Sequence, residues 1–477
     1  MNKPWFDVDK QGLAKILARK GKEFAIFELL QNAWDEDGTT TVDVTLLPVK
    51  DHPRQAFLRI ADNAPNGFSD ITHAYTLFAS SKKASNPIKR GRFNLGEKLV
   101  LAMAREATIT TTTGRVRFDD EGRYRSGVKT AVGSEIEIYL NMTKDEIDTA
   151  IAGCAKLIAP KQVESTFVNQ VRLSSPTPWK TFEASLLTEI ADDEGVFKNA
   201  TRKTVVEVYQ ATAERPAAIY EMGIPVCEVD GRFSFNVMQK IPLTLDRENV
   251  LVAFRRQLAV AAMDALHDNL DKEDVNSAWV TEALPNATHE AVESYMDARF
   301  GEKRVAYDPS DREANMRATA QGYTVVHGSM LSGPAWDNVK SAGAIMPAGQ
   351  VTPSPKPFHP DGTPLKIIEP TEQMKPVVDY AKRFAWQVLS RRIQVKVTPD
   401  KDWPFAAAYG PKGVLYLNAG QLGDTWFDLA HNQVRIDDLL IHEFGHEYCS
   451  NHLSPAYHDA LTLIGAQLAN EIRKGRL

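Results

Sequence analysis

Asp437-Asp438-Leu439-Leu440-Ile441-His442-Glu443-Phe444-Gly445-His446 is the stretch that decides how the C-terminal part of the chain folds. On a helix, two histidines four residues apart lie one turn from each other on one face, with a glutamate beside them. The apolar turn Leu439-Leu440-Ile441 ahead of them marks that helix as buried. Neutral imidazoles at His442 and His446 suit a zinc ion, and Glu443 suits a base that deprotonates water for attack on a carbonyl. Such a pattern arises by chance on the order of once per hundred chains of this length, so its surroundings matter.

A third ligand has three candidates. His452 stands six residues beyond His446, which is about 240° round a continuous helix, so the helix must end near Cys449 to bring it back. Ser454-Pro455 supports a break there, since Ser caps helices well and Pro suits a first helical position. His452 is preferred on that ground; His458, in the first turn of the new helix, and Glu471, farther along it, are the alternatives. Tyr448 and Tyr457 read as packing residues that could also polarise a carbonyl. The bland reading of the whole motif is a helix whose histidines pair with acids, or a zinc held only structurally.

Upstream, the pattern predicts a helix from Thr371 to Leu389, a strand from Ile393 to Val397, and a hairpin from Ala406 to Leu417 turning at Pro411-Lys412-Gly413. Residues 347–370 are proline-dense and read as a linker. Before them, residues 271–346 form a helical and βαβ-like connector: a strand at Arg304 to Tyr307, a helix at Arg312 to Ala320 and a strand at Tyr323 to His327. Asp308, Asp311 and His327 in that connector read as turn and packing residues. Residues 151–270 hold the strands Thr204 to Tyr209 and Phe233 to Met238 and a helix from Asn249 to Leu270. Residues 1–150 alternate helix and strand patterns as an α/β layered domain.

Within that first domain, Ile26, Leu29, Leu30 and Ala33 make an apolar helical stripe, while Glu28, Asn32 and Asp35 follow another face at i, i+4 and i+7. A strand from Phe57 to Ile60 runs into Asp62-Asn63-Ala64-Pro65-Asn66-Gly67. Next come Lys82, Lys83 and the basic, glycine-bearing loop Arg90-Gly91-Arg92-Phe93-Asn94-Leu95-Gly96-Glu97-Lys98, which opens a helix. Backbone N–H groups at such a helix start, with Lys and Arg nearby, suit phosphate oxygens. Taken alone, these are an amphipathic helix and a basic loop.

Bulk properties bound the answer. A chain of 477 residues implies roughly three or four domains. Its 43% hydrophobic and 25% charged residues are ordinary for globular proteins. A formal charge of -6 gives no indication of nucleic-acid binding, although a local basic groove would not show in the sum. Three widely spaced cysteines fit a reducing compartment, and neither a signal peptide nor a membrane span is read, so the expectation is a cytoplasmic protein.

The ordered N-terminal set, over residues 20 to 140, resembles the GHKL ATPase superfamily of gyrase, heat-shock chaperone, histidine kinase and MutL-type proteins. The resemblance implies ATP and Mg2+ as ligands, with Glu28 as general base, Asn32 as magnesium ligand and Asp35 close to them. It also implies that Asp62 accepts the adenine amino group, with Gly67 and Ser134 beside it, and that Lys82, Gly91, Gly96 and Lys98 belong to the phosphate lid. The family's Asp-x-Gly-x-Gly departs here to Asp62-Asn63-Ala64-Pro65-Asn66-Gly67, lacking the first glycine and carrying an inserted residue, which reshapes the adenine pocket. A transducer-like domain follows in that family, and Gln239-Lys240 resembles the element whose Lys reaches the terminal phosphate, with Arg247 alongside.

The C-terminal domain, residues 371–477, resembles the zincin metallopeptidases, although Cys449 replaces the glycine of the H-E-x-x-H-x-x-G-x-x-H variant. The expected architecture is therefore multidomain α/β and α+β. It comprises a GHKL-type α/β sandwich, a transducer-like α+β domain, a small βαβ-like unit and a zincin-like α+β domain. The expected activity is an ATP-regulated Zn2+ metallopeptidase acting on an unidentified protein or peptide, with an ATP-dependent homodimer implied by the resemblance. The alternative is a chaperone-like or DNA-associated ATP clamp whose zinc module is structural or used for recognition. A third reading has the ATP site only sensing nucleotide.

Overall fold

Alternation of buried and exposed positions dictates the N-terminal strands. In β1 (Thr41–Pro48), Val42, Val44 and Leu46 are buried and their neighbours are not, as a period of two requires. β2 (Ala56–Asp62), β3 (Ala104–Thr111), β4 (Gly114–Asp119), β5 (Gly122–Ser126), β6 (Glu135–Leu140), β7 (Ser165–Val168) and β8 (Val171–Arg172) complete an eight-stranded sheet ordered β5-β4-β3-β6-β2-β1-β7-β8. Register aligns Val44, Ile60, Ile136, Ile109 and Val116 across five strands, so one apolar row runs over one face. Against that core pack the helices α1 (Glu23–Trp34), α2 (Gly96–Met103) and α3 (Lys144–Gly153), through residues such as Ile26, Leu30, Val100 and Ala150.

The computed structural model describes residues 9–18, 21–68, 70–77, 82–92, 96–192, 196–244, 249–309, 311–352, 364–410, 413–450 and 452–477. Its contacts divide into two compact units, Met1–Ala265 with Asn276–Ala283 and Leu266–Val275 with Leu284–Leu477. The first unit carries a second sheet of β9 (Lys180–Ala191), β10 (Phe197–Gln210), β11 (Ala218–Glu221), β12 (Ile224–Glu228) and β13 (Phe233–Val237), ordered β12-β11-β13-β10-β9. α4 (Val252–Leu266) follows it. The first sheet extends past residue 150, because β7 adds to β1 in parallel and pairs Thr41 to Val44 with Ser165 to Val168.

In the second unit, β14 (Arg304–Ala306) and β15 (Thr324–Val326) pair in parallel around α5 (Arg312–Ala320). Residues 347–352 are ordered rather than linker-like. Ala348–Val351 is a helical turn whose Ala348 joins the core of Val305, Ala314 and Ala318, and the Thr352 hydroxyl donates to the Ala314 carbonyl at 2.8 Å. Of the linker expected at 347–370, residues 353–363 lie outside the described residues, while Leu365 packs with Trp403, Phe405 and Ala408 and the Ile368 N–H donates to the Val397 carbonyl at 2.9 Å. Beyond that segment come α6 (Lys375–Leu389), β16 (Gln394–Thr398), β17 (Ala407–Gly410), β18 (Val414–Asn418), α7 (Leu429–Gly445) and α8 (Pro455–Arg473). The sheet order is β16-β18-β17, with β16 parallel and β17 antiparallel to β18. Val377, Phe384, Leu415, Leu440, Phe444 and Ile464 share one core, so sheet and helices pack as layers.

Among the described residues no helix is long and apolar enough to cross a membrane, and Cys154, Cys227 and Cys449 are free thiols.

Gly133 has φ +73°, and a Cβ there would overlap the Asp62 carbonyl. Gly133→Ala is therefore expected to lower stability by about 2 kcal/mol or more in urea unfolding. Gly127→Ala, where a Cβ meets nothing within 4 Å, should change stability by less than about 0.5 kcal/mol.

Candidate functional site

In the second unit, the Asp428 carboxylate caps α7 by accepting the His431 N–H, and the helix closes at Gly445 with His446 as its C-cap. Turn hydrogen bonds carry the chain to Cys449, whose N–H donates to the Gly445 carbonyl at 3.2 Å. Ser454 then caps α8 through the Ala456 N–H at 3.1 Å, with Pro455 opening the helix. The two helices cross closely at Gly445, where a Cβ would come within 2.8 Å of Leu461 and Tyr457 side-chain carbons.

The reversal returns His452 to the motif helix. One nitrogen from each of His442, His446 and His452 lies within 4.8 Å of the others. Tetrahedral zinc, with bonds of about 2.0–2.1 Å, sets its nitrogen ligands roughly 3.4 Å apart. The donor set of three imidazoles therefore fits zinc in chemistry and nearly in spacing. His446 Nδ1 lies 3.3 Å from the Cys449 carbonyl and His452 Nδ1 lies 3.6 Å from Asp308 Oδ2. Both contacts are made through Nδ1, an arrangement compatible with a metal held through Nε2. His458 is exposed on α8, and Glu471 pairs with Lys474 and Arg476 away from the cluster.

Glu443 is buried, and its Oε2 accepts the backbone N–H of Tyr409 from β17 at 2.9 Å. The strand thus orients the carboxylate. Tyr457 packs its ring 5.3 Å from His446 and 4.8 Å from His452, and its hydroxyl donates to the His442 carbonyl at 2.9 Å. Burial, then the charges of Glu443, Asp308 and Cys449, hold that phenol above its ordinary value. It braces the helix end, as its packing role implies, while Tyr448 is exposed.

The N-terminal residues assemble around α1. Ile26, Leu29, Leu30 and Ala33 are all buried, and so is Glu28, whose Oε2 accepts from Gln31 at 2.6 Å. A Cβ at Gly96 would overlap that carboxylate, so Glu28 lies directly against the start of α2. Asn32 donates to Glu97 Oε2 at 3.1 Å, and Lys98 bonds Glu97 and the His73 carbonyl. Asp35 receives Arg90 Nη1 at 2.7 Å and the backbone N–H groups of Arg90 and Gly91 at 2.6 and 3.2 Å. It therefore clamps the start of the basic, glycine-bearing loop at Arg90 and Gly91.

Asp62 sits where the loop after β2 meets the loop before β6. Its N–H donates to the Ser134 carbonyl at 3.0 Å, Ser134 Oγ accepts the Phe68 N–H at 3.0 Å, and Gly67 packs on Gly133 and Ser134. Burial pushes the Asp62 carboxyl up to about 6, with the Glu36 charge adding to the shift and the Ala64 and Ser134 backbone opposing it. Lys83, paired with Glu36 at 2.6 Å, is held above the ordinary lysine range. Burial works against its charge, and Glu36, Asp35 and Glu97 outweigh it. These charges connect the Asp62 loop to the α1 cluster. The Lys82 side chain and Arg247 lie outside the described residues.

Lys240 is fully buried after β13. Its Nζ donates to the Lys83 carbonyl, and its N–H donates to the Pro87 carbonyl at 2.7 Å. Burial and the Arg92 charge push its amine down to about 8. Arg92 pairs with Glu221 and Glu189, and Arg90 also donates to the Met222 carbonyl. Three buried cations therefore tie residues 83–92 to the second sheet. Spacing in the sequence carried no signal of these partners, which lie far apart along the chain.

No family model matches the chain, and no curated protein matches it. Among the solved structures similar to part of this chain are two that align over 48% of it. One is the ATPase and transducer domains of DNA topoisomerase II from Balamuthia mandrillaris, at 12% identity, TM-score 0.31 and 76% coverage of that chain. The other is the ATPase region of Saccharomyces cerevisiae topoisomerase II bound to ICRF-187, at 9% identity, TM-score 0.32 and 77% coverage.

The raised Asp62 value has a testable sign. A carboxyl that holds its proton more tightly when folded contributes stability that is full below about pH 4 and is lost as pH rises through about 6. Asp62→Asn keeps the oxygen that accepts the Ala64 N–H and removes the titration. Its stability relative to the parent chain should therefore rise by on the order of 1–2 kcal/mol between pH 4.5 and 7 in urea titrations.

Proposed function

We propose that the second unit is a zinc peptidase and that the first unit binds magnesium-ATP and regulates it. The observation that carries the peptidase reading is the convergence of His442, His446 and His452 beside a carboxylate oriented by a strand. Zinc, when bound there, supplies Lewis acidity toward a scissile carbonyl and water. Glu443 takes the proton of the attacking water and delivers it to the departing amine nitrogen. The Tyr409 N–H keeps that carboxylate in place throughout.

β17 supports an extended polypeptide as substrate. It is at the edge of its sheet. The Ala406 and Gly410 carbonyls turn inward, accepting the Asn418 and Gly413 N–H groups at 2.9 and 3.0 Å. The backbone of Ala407 and the carbonyl of Tyr409 then face outward beside Glu443, where a peptide strand adds by main-chain hydrogen bonding.

The nucleotide reading is supported by the residue resemblance and by the adjoining Glu28, Asn32, Asp62 and Lys83 clusters. In it Glu28 orients water, Asn32 holds magnesium, and Asp62 receives the adenine amino group. An ATP-dependent homodimer belongs to this reading. Lys240 and Arg92 also support a second reading, an ATP clamp whose zinc module is structural, because they tie the basic segment to a second sheet that nucleotide would move.

Cleavage of an unfolded protein by the zinc-loaded chain, with and without magnesium-ATP, tests these readings. Glu443→Gln should lower cleavage at least about 100-fold while retaining zinc, and Glu28→Ala should abolish ATP hydrolysis and the effect of ATP on cleavage. Equal cleavage by Glu443→Gln would refute the peptidase reading. ATP turnover lost in Glu28→Ala but no cleavage by the parent chain would favour the clamp.

A further inference from the structure

The βαβ-like unit of residues 304–352 has a feature that its packing alone does not require. β14 delivers Asp308, 2% exposed, two residues beyond its end. Asn315 on α5 holds that residue from both sides, accepting its N–H at 2.9 Å and donating to its carbonyl at 2.6 Å. Asp311 caps the same helix through the Ala314 N–H at 2.9 Å. Gly349 closes over the carboxylate, and a Cβ there would overlap Asp308 Oδ2. Backbone, helix cap and a missing side chain thus combine to aim one carboxylate inward.

It is aimed at His452. Oδ2 lies 3.6 Å from Nδ1 of that ring, just beyond hydrogen-bond distance. Tyr457 packs on both His446 and His452, with ring centroids 5.3 and 4.8 Å away. Burying a carboxylate is costly unless donors or cations meet it. An imidazole bound to a dication through Nε2 presents a strengthened Nδ1–H donor, and a carboxylate behind it fixes both tautomer and ring orientation. Resting on the zinc reading above, we infer that Asp308 is the positioning residue for His452, so that residues 304–352 form part of the metal centre. The role assigned to Asp308 from sequence, a turn and packing residue, is incomplete on this account.

The experiment is competitive titration of the full chain with Zn2+ against a chelator, together with visible absorption of the Co2+ form. Asp308→Ala should weaken zinc binding about 10- to 100-fold and alter the Co2+ bands. Asp308→Asn, which retains an acceptor oxygen for Nδ1–H, should restore the bands and recover part of the affinity. Asp311→Ala, which removes the carboxylate that caps α5, should lower the melting temperature and leave the Co2+ spectrum unchanged. If Asp308→Ala does not fold, Asp308→Asn still decides, because the charge it loses should weaken binding measurably. Parental affinity and an unchanged spectrum in Asp308→Asn, and in Asp308→Ala where it folds, would overturn the role of Asp308 while leaving the zinc site standing. Failure of the parent chain to bind either metal would refute the zinc reading and this inference with it.

Discussion

Everything in the C-terminal site depends on the reversal of the chain between Gly445 and Ser454. A helix continued past His446 would swing His452 to another face. Ending α7 at Gly445 and restarting α8 at a capped Ser-Pro step turns three separated histidines into one cluster. The missing side chain at Gly445 lets Tyr457 and Leu461 press against the helix end, and the Tyr457 hydroxyl secures the last-turn carbonyl of His442. Local capping and one close helix crossing thus set the site geometry.

The first unit is organised differently, by buried charge. Asp35 with Arg90, and Glu221 with Arg92, are pairs almost fully withdrawn from water, and Lys240 is buried among them. Such pairs contribute little net stability, because desolvation offsets their attraction, but breaking one leaves an uncompensated charge. They therefore define the arrangement of residues 83–92 against the second sheet more than they stabilise it.

Much of the secondary structure was legible because its signals are local. The apolar stripe Ile26, Leu29, Leu30 and Ala33 is the buried face of α1, and the βαβ pattern and the final hairpin occur as parallel and antiparallel pairs. Less legible were elements completed by distant partners. The β7–β8 hairpin joins the first sheet only because β1 offers an edge to it, and residues 347–352 order because Ala348 fills a gap among Val305, Ala314 and Ala318. Proline content marks a stretch as irregular, but cannot report a cavity that its flanking residues fill.

The sequence by itself determined the candidate chemistry: the His442-Glu443-His446 motif, the polar face of Glu28, Asn32 and Asp35, and the Ser454-Pro455 break that makes a third histidine reachable. These follow from residue type and helical spacing, which are properties of neighbours along the chain. The tertiary structure brought His452, which the sequence already favoured over His458 and Glu471, to within 4.8 Å of His442 and His446. It also brought the Tyr409 N–H to Glu443, paired Asp35 with Arg90, and set Asp308 behind His452. Those choices depend on contacts between segments tens to more than a hundred residues apart, whose energies arise from burial and packing that no local pattern encodes.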